Sequence, residues 1–165
     1  MNDLLMSRLE LRDHASLAKS VEKILGSSLE AIDRGKKPPA PSRIQGMQIQ
    51  RMQSFLADSA RASGHEPARL VADPALGRPR SQAERQTIYA LVRRVRPQLK
   101  QHAVATWVND AYVVLEATRQ TSLGTLPKTK LNWARTELEP FLETLGHAVQ
   151  DFREDSRPVG LTHVG

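Results

Sequence analysis

The chain has 165 residues, of which 39% are hydrophobic and 4% aromatic, and its formal net charge is +6. This length suits one domain with a modest core of Leu, Ile and Val side chains. Cysteine is absent, which excludes a disulfide framework and cysteine–zinc sites.

Residues 1–34 are predicted to form an N-terminal helical arm. The first residues lack the basic-then-apolar order of a signal peptide, and no apolar run approaches the roughly 18 residues that span a membrane, so we expect a cytoplasmic protein without membrane attachment. Ser16 fits an N-cap, and Gly26 indicates a close contact with a neighbouring element. An amphipathic stripe on the arm needs a cover, either the rest of the chain or a second copy. This stripe comprises Leu17, Val21, Ile24, Leu25, Leu29 and Ile32.

Residues 35–41 hold three prolines in four positions, a composition that favours extended chain. A stiff connector is the preferred interpretation, with a docking peptide for a proline-reading module as the alternative. Ser42 suits the cap of a helix over about 43–62, whose methionines and glutamines indicate either core packing, which we favour, or an adaptable binding groove. Its predicted buried stripe comprises Ile44, Met47, Met52, Phe55, Leu56 and Ala60.

Residues 63–80 are rich in Gly, Pro and small side chains and are predicted to form a loop. The segment 78–100 has seven basic residues and one acidic residue, so it carries +6, the whole formal charge of the chain. Ser81 and Glu84 have the spacing of a helix-capping box. The apolar residues that follow recur at three- and four-residue steps and predict a helix with one buried face. They are Ile88, Leu91, Val92, Val95 and Leu99.

One flank of that helix, roughly 60° to 140° from Ile88, gathers cations around a tyrosine. Such a surface pairs with phosphates and offers an aromatic face to a base. Lys100 belongs to this flank only if the helix continues through Pro97. The alternatives are an ordinary solvated helix face and a surface that docks on an acidic protein. The residues predicted to bind nucleic acid are Arg85, Tyr89, Arg93, Arg96 and Lys100 on the flank, and Arg78 and Arg80 in the preceding loop.

Residues 98–119 are predicted to form the central helix. Its apolar positions spread over much of its girth, which indicates contact from two sides. Trp107 is interpreted as a core anchor rather than as a platform for a ligand.

The last predicted helix covers about 128–152, and Pro140 should kink or split it. Its start is basic, which opposes the helix macrodipole and indicates another use for these charges. Lys128 and Lys130 are therefore the second-choice binding residues. The tail, 153–165, has neither pattern nor bulk and is predicted to be disordered.

Catalytic and metal-binding motifs are missing from the sequence. The five histidines show no metal-ligand spacing such as HExxH. Residues 124–130, GTLPKTK, resemble a phosphate-binding loop, but the second glycine is missing and Pro127 removes an amide donor. Asp110 and Glu116 lie about 120° out of alignment on a helix. We therefore expect no enzymatic activity, no metal and no cofactor.

For the whole chain we predict an all-α protein, a compact bundle of about five or six helices with a proline-rich connector after the first helical segment. The predicted parts are the arm 1–34, the connector 35–41 and the helical bundle 42–152. We expect it to bind DNA or RNA non-specifically through the phosphate backbone. The alternative is a protein-interaction subunit, adaptor or inhibitor that docks on an acidic or apolar surface of a partner protein. In architecture alone, a helical, non-catalytic chain with a basic ridge resembles the small subunits of CRISPR effector complexes. That resemblance implies a larger protein assembly, and a homodimer is the other assembly we expect.

Overall fold

The structure, a computed structural model, describes residues 2–65, 76 and 80–155, with side chains over 13–65, 76 and 80–151. Within these ranges every regular element is helical and no strand occurs, so the predicted all-α fold is confirmed. The helices are α1 (Asn2–Asp33), α2 (Arg43–Ala62), α3 (Gln82–Val95), α4 (Gln101–Arg119), α5 (Lys128–Trp133) and α6 (Glu139–Asp155). Two short turns accompany them, a 3₁₀ turn at Leu123–Thr125 and a π-helical turn at Ala134–Leu138.

Helix α1 lies antiparallel to α6. A Cβ on Gly26 would lie 2.8 Å from the Glu139 carboxylate, and one on Gly146 would lie 3.6 Å from Cγ of Lys19. The close contact predicted at Gly26 is therefore confirmed. The α1 stripe is covered within one chain, because α6 and α2 both pack against it. Exposure falls to 3% or less at Leu17, Val21, Leu25 and Leu29, while Ile24 and Ile32 are partly buried.

The proline-rich connector leads from α1 into α2. Residues 36–42 form neither helix nor strand. Ser42 then caps α2 as predicted, since its Oγ accepts the Gln45 N–H at 3.1 Å and its own N–H donates to Gln45 Oε1 at 2.8 Å. The two bonds satisfy the backbone N–H groups of Ser42 and Gln45, which have no partner within the helix.

Helix α2 buries only part of its predicted stripe. It packs against α4, where Gln53 Nε2 donates to the Tyr112 carbonyl at 3.4 Å. Ile44 and Met47 are 70% and 55% exposed, so their assignment to the buried stripe is wrong. Because residues advance by about 100°, these two lie roughly 140° and 160° from the buried Ile49. The stripe members that are buried, all at 1% exposure or less, are Met52, Phe55, Leu56 and Ala60.

Helix α3 ends at Val95, before Pro97. Arg96 has φ −122° and ψ 73°, outside the helical region, because a proline disfavours helical conformation in the residue before it. Helix α4 begins at Gln101, with Lys100 as its N-cap. The helix therefore does not continue through Pro97, and Lys100 does not lie on the α3 flank as the sequence prediction required.

The π-helical turn accommodates Pro140 in the last helical stretch. The Glu139 N–H donates to the Ala134 carbonyl, five residues back. Proline has no N–H with which to continue an α-helical ladder, so a widened turn before it relieves the interruption. The kink or split predicted at Pro140 is therefore a π-helical turn just before the proline. Helix α6 continues to Asp155, so the first three residues of the predicted tail are helical, and 156–165 lie outside the described residues.

Trp107 anchors the core where α4 meets the last helical stretch. Its ring centroid lies 5.5 Å from that of Trp133 and 4.7 Å from that of Phe141, and the residue is only 6% exposed. With α2 on its other side, α4 is contacted from two sides. Both predictions made for this helix are confirmed.

Candidate nucleic-acid interface

Helix α3 presents the central part of the predicted cationic flank. Ser81 caps it, since its Oγ accepts the Glu84 N–H at 3.3 Å. The helix buries Ile88, Leu91 and Val92 against α2 and α6. On the outer side, Arg85, Tyr89 and Arg93 follow one another at four-residue steps and so share one flank.

The two arginines of this flank have polar neighbours but no carboxylate partner among the described residues. Arg93 Nη1 donates to the Tyr89 hydroxyl at 3.1 Å, and its guanidinium carbon lies 6.0 Å from the Tyr89 ring centroid. Arg85 Nη2 donates to Gln82 Oε1 at 2.7 Å. Both guanidinium groups therefore keep their full charge available to an external anion.

Three of the predicted site cations are instead engaged by carboxylates of the protein itself. The guanidinium of Arg80 pairs with Asp58, which is fully buried, and its Nη2 lies 3.4 Å from His14 Nε2. Arg96 Nη2 lies 2.6 Å from a Glu137 oxygen, and Lys130 Nζ lies 2.7 Å from Asp110 Oδ1. The charges of Arg80, Arg96 and Lys130 are thus largely neutralised inside the fold.

The remaining predicted cations lie apart from the α3 flank. Lys100 and Lys128 are both exposed, at the starts of α4 and α5 respectively, and neither has a carboxylate partner within the described ranges. Arg78 lies outside the described residues. The single ridge predicted from the sequence is therefore a shorter flank with separate lysines beyond it.

The ion pair between Arg96 and Glu137 joins the α3 flank to a second aromatic side chain. Trp133 directly precedes the π-helical turn that contains Glu137. Lys130 Nζ lies 6.0 Å from the Trp133 ring centroid, and both residues are partly exposed. The sequence prediction omitted Trp133 as a binding residue, although its spacing from Lys130, three positions on a helix, indicates a ring–cation pair.

We call this surface the aromatic track. It consists of two ring–cation pairs connected through an ion pair. Its members are Arg85, Tyr89, Arg93, Arg96, Lys130 and Trp133.

Comparison with known proteins assigns the chain to no family: no family model, curated protein or solved structure matches it. The described part of the chain contains no group of three or more His, Cys, Asp or Glu side chains placed to hold a metal ion. No helix in the same ranges is long and apolar enough to cross a membrane.

Proposed function

We propose that the protein is a non-catalytic nucleic-acid-binding protein whose aromatic track holds a single strand. The observation that supports this most is the Tyr89–Arg93 pair, in which a partly exposed ring lies beside a guanidinium that has no carboxylate partner in the described ranges. Single-strand binding surfaces combine cations for phosphates with aromatic rings for bases.

Phosphates bind the cations that the fold leaves unneutralised. Arg85 and Arg93 supply two contacts on α3, and the exposed Lys100 and Lys128 supply two beyond its end. Arg96 and Lys130 contribute less, because a phosphate must compete there with Glu137 and Asp110. Arg80 takes no part, since releasing it would leave a buried carboxylate without this partner.

Bases stack on Tyr89 and Trp133. Both rings are partly buried against the core, so each offers a fixed face rather than a flexible side chain. A paired base within a duplex cannot reach such a face, which favours single-stranded DNA or RNA over double strands. The surface carries no pattern for reading base edges, so binding is expected to be independent of sequence.

The proposal is tested by fluorescence anisotropy with a labelled oligothymidylate of about 20 nucleotides at low salt. Arg93→Glu should weaken binding about tenfold, equivalent to roughly 1.4 kcal/mol. Tyr89→Leu keeps the apolar volume but removes the stacking face and should weaken binding at least about fivefold.

Lys19→Glu is the matched control, because it makes the same charge change at an exposed residue of α1 away from the track. It should leave the affinity within about twofold of the wild type when both variants are compared at about 0.1 M salt, where the Debye length is about 10 Å and more distant exposed charges are screened. Equal losses in Arg93→Glu and Lys19→Glu would mean that only net charge matters, and the track would then not be the binding surface.

A further inference from the structure

The first two turns of α2 carry an apolar pair on the outside of the bundle. Ile44 and Met47 are 70% and 55% exposed, and they are the two exposed large hydrophobic side chains in the described ranges. Their three-residue spacing places them side by side on one face of the helix. Isolated exposed apolar residues are common, so their significance depends on what surrounds them.

The segment that leads into this apolar pair is cationic. Lys36 and Lys37 of the connector and Arg43 at the start of α2 are exposed, and none of the three has an ion pair or side-chain hydrogen bond within the described part of the chain. Lys23, which lines the cleft between α1 and α2, likewise has no ion pair among the described residues, whereas three basic residues of other elements are neutralised locally. Arg34 pairs with Glu30, Arg119 with Glu116 and Arg135 with Asp33.

A cleft adjoins the apolar pair between α1 and α2. It has a volume of about 390 Å³ and is lined by Lys23 and small or polar side chains, among them Ser27 and Gln48. Gln45 and Gln48, which line the cleft, directly follow Ile44 and Met47 in the sequence. The groove between two antiparallel helices is a common docking place for a third helix.

We propose that these residues form a docking patch, defined as Lys36, Lys37, Arg43, Ile44 and Met47, that binds an acidic amphipathic helix of a partner protein. Carboxylates of that helix would pair with the three free cations, and its apolar side chains would cover Ile44 and Met47. Charge complementarity of this kind steers association and sets specificity, while the apolar contacts add affinity.

Two other occupants fit the charges less well. A second copy of the chain, docked through the same patch, would place three cations against three cations. The C-terminal residues 156–165 contain no Asp or Glu, so the chain's own tail supplies no carboxylate side chain to pair with the patch. An acidic partner segment satisfies both the charge and the apolar surface.

The test uses designed peptides of about 18 residues as probes in anisotropy measurements. The first carries Leu at i, i+3, i+4 and i+7 with Glu elsewhere, the second has Lys in place of Glu, and the third has Ser in place of Leu. The wild type should bind the first peptide at least tenfold more tightly than either of the others.

Two double variants of the full chain locate the binding surface. Ile44→Ser with Met47→Ser, and Lys36→Glu with Lys37→Glu, should each weaken binding of the first peptide at least tenfold, and Lys19→Glu should leave it unchanged. All four positions are exposed, so circular dichroism should show the same helix content in every variant.

Several results would overturn the proposal. Equal affinity for the three peptides, or no loss in the double variants, would remove the acidic helix as the occupant. A concentration-dependent dimer in sedimentation equilibrium that Ile44→Ser with Met47→Ser abolishes would assign the patch to self-association. Loss of binding to phosphatidylglycerol vesicles or to oligothymidylate in the same variants, without any peptide binding, would assign it to a membrane or to nucleic acid.

Discussion

Arg80 and Arg93 belong to the same basic segment, yet they have opposite environments. Arg80 pairs with the fully buried Asp58, whereas Arg93 faces the Tyr89 hydroxyl. Counting charges along the chain predicts both as binding residues, because the count cannot include an acid contributed by another helix. The structure thus distinguishes a cation that stabilises the fold, Arg80, from one that remains available to a ligand, Arg93.

Replacing Arg80 by Gln is expected to affect stability rather than binding. Among the described residues, the change leaves the buried Asp58 with Arg61 as its remaining cation, at 2.9 Å, and it should lower the free energy of unfolding by about 1–3 kcal/mol. Urea denaturation measures this loss. The comparison variant Arg93→Gln should stay within about 0.5 kcal/mol of the wild type. If Arg80→Gln kept full stability and lost affinity for oligothymidylate, the assignment of Arg80 to the fold would be wrong.

The carboxylate of Glu139 makes stability depend on pH. Burial against α1 raises its pKa above the usual value of 4.5, and repulsion from Glu22, Glu143 and Asp33 adds to the effect, while Arg135 opposes it. A raised carboxyl pKa means that the folded state disfavours the charged form. The contribution to stability is therefore full below about pH 4.5 and lost as the pH rises through the folded-state pKa.

Glu139→Gln should accordingly raise the melting temperature at pH 7 by about 1–3 °C, a small effect because water screens much of the repulsion. At pH 3 the carboxyl of the wild type is protonated, so the two proteins should melt together. Scanning calorimetry at both pH values gives the comparison. A stabilisation of equal size at pH 3 and pH 7 would show that the charge of Glu139 is not its cause.

Two helices, α1 and α4, end with the same backbone hydrogen bond but with different residues at the position of positive φ. Helix α1 ends with Gly35 at φ 69°, and Lys36 N–H donates to the Ala31 carbonyl at 2.8 Å. Helix α4 ends in the same way, with Ser122 N–H donating to the Ala117 carbonyl at 2.8 Å, but the residue with positive φ (55°) is Thr121. Glycine adopts this left-handed conformation without cost, whereas a β-branched residue is strained in it.

Thr121→Gly should therefore stabilise the protein by up to about 1 kcal/mol, because the relief of strain exceeds the added entropy of the unfolded chain. Gly35→Ala is the reciprocal variant and should destabilise it by about 1 kcal/mol, since nothing lies within 4 Å of a Cβ there and the backbone angle alone opposes the change. Chemical denaturation of both variants tests the pair. Destabilisation by Thr121→Gly would show that the threonine side chain makes a contact that outweighs its strained angle.

The sequence predicts individual helices better than the faces they bury. The periods of α1 and α3 identify their buried sides, because each has one dominant apolar stripe. In α2 the apolar residues fall on two faces, so Ile44 and Met47 were assigned to the core although α1 and α4 contact the other side. The end of α3 is predictable from Pro97, because a proline disfavours helical conformation in the residue before it.

The all-α architecture of the molecule is predictable, because helical periodicity depends on residues close together in the sequence. The candidate site is not predictable in this way. Its composition depends on pairs between distant positions, Arg96 with Glu137 and Lys130 with Asp110, which only the packing of helices brings together. The same packing pairs Arg96, at the end of α3, with Glu137 in the turn that follows Trp133. Part of the positive charge of the chain thus forms structural ion pairs, and part remains for the proposed aromatic track and docking patch.

The proposed binding of a single nucleic-acid strand is tested most directly by the salt dependence of oligothymidylate binding. Four of the predicted binding residues have no carboxylate partner in the described ranges, namely Arg85 and Arg93 on the track and the separate Lys100 and Lys128. If each meets one phosphate of a single strand, log K should fall with log salt at a slope of about −3, and Arg93→Glu should reduce the slope to about −2. If the protein showed no salt-dependent binding to any DNA or RNA at about 50 mM salt, the proposed nucleic-acid binding would be contradicted.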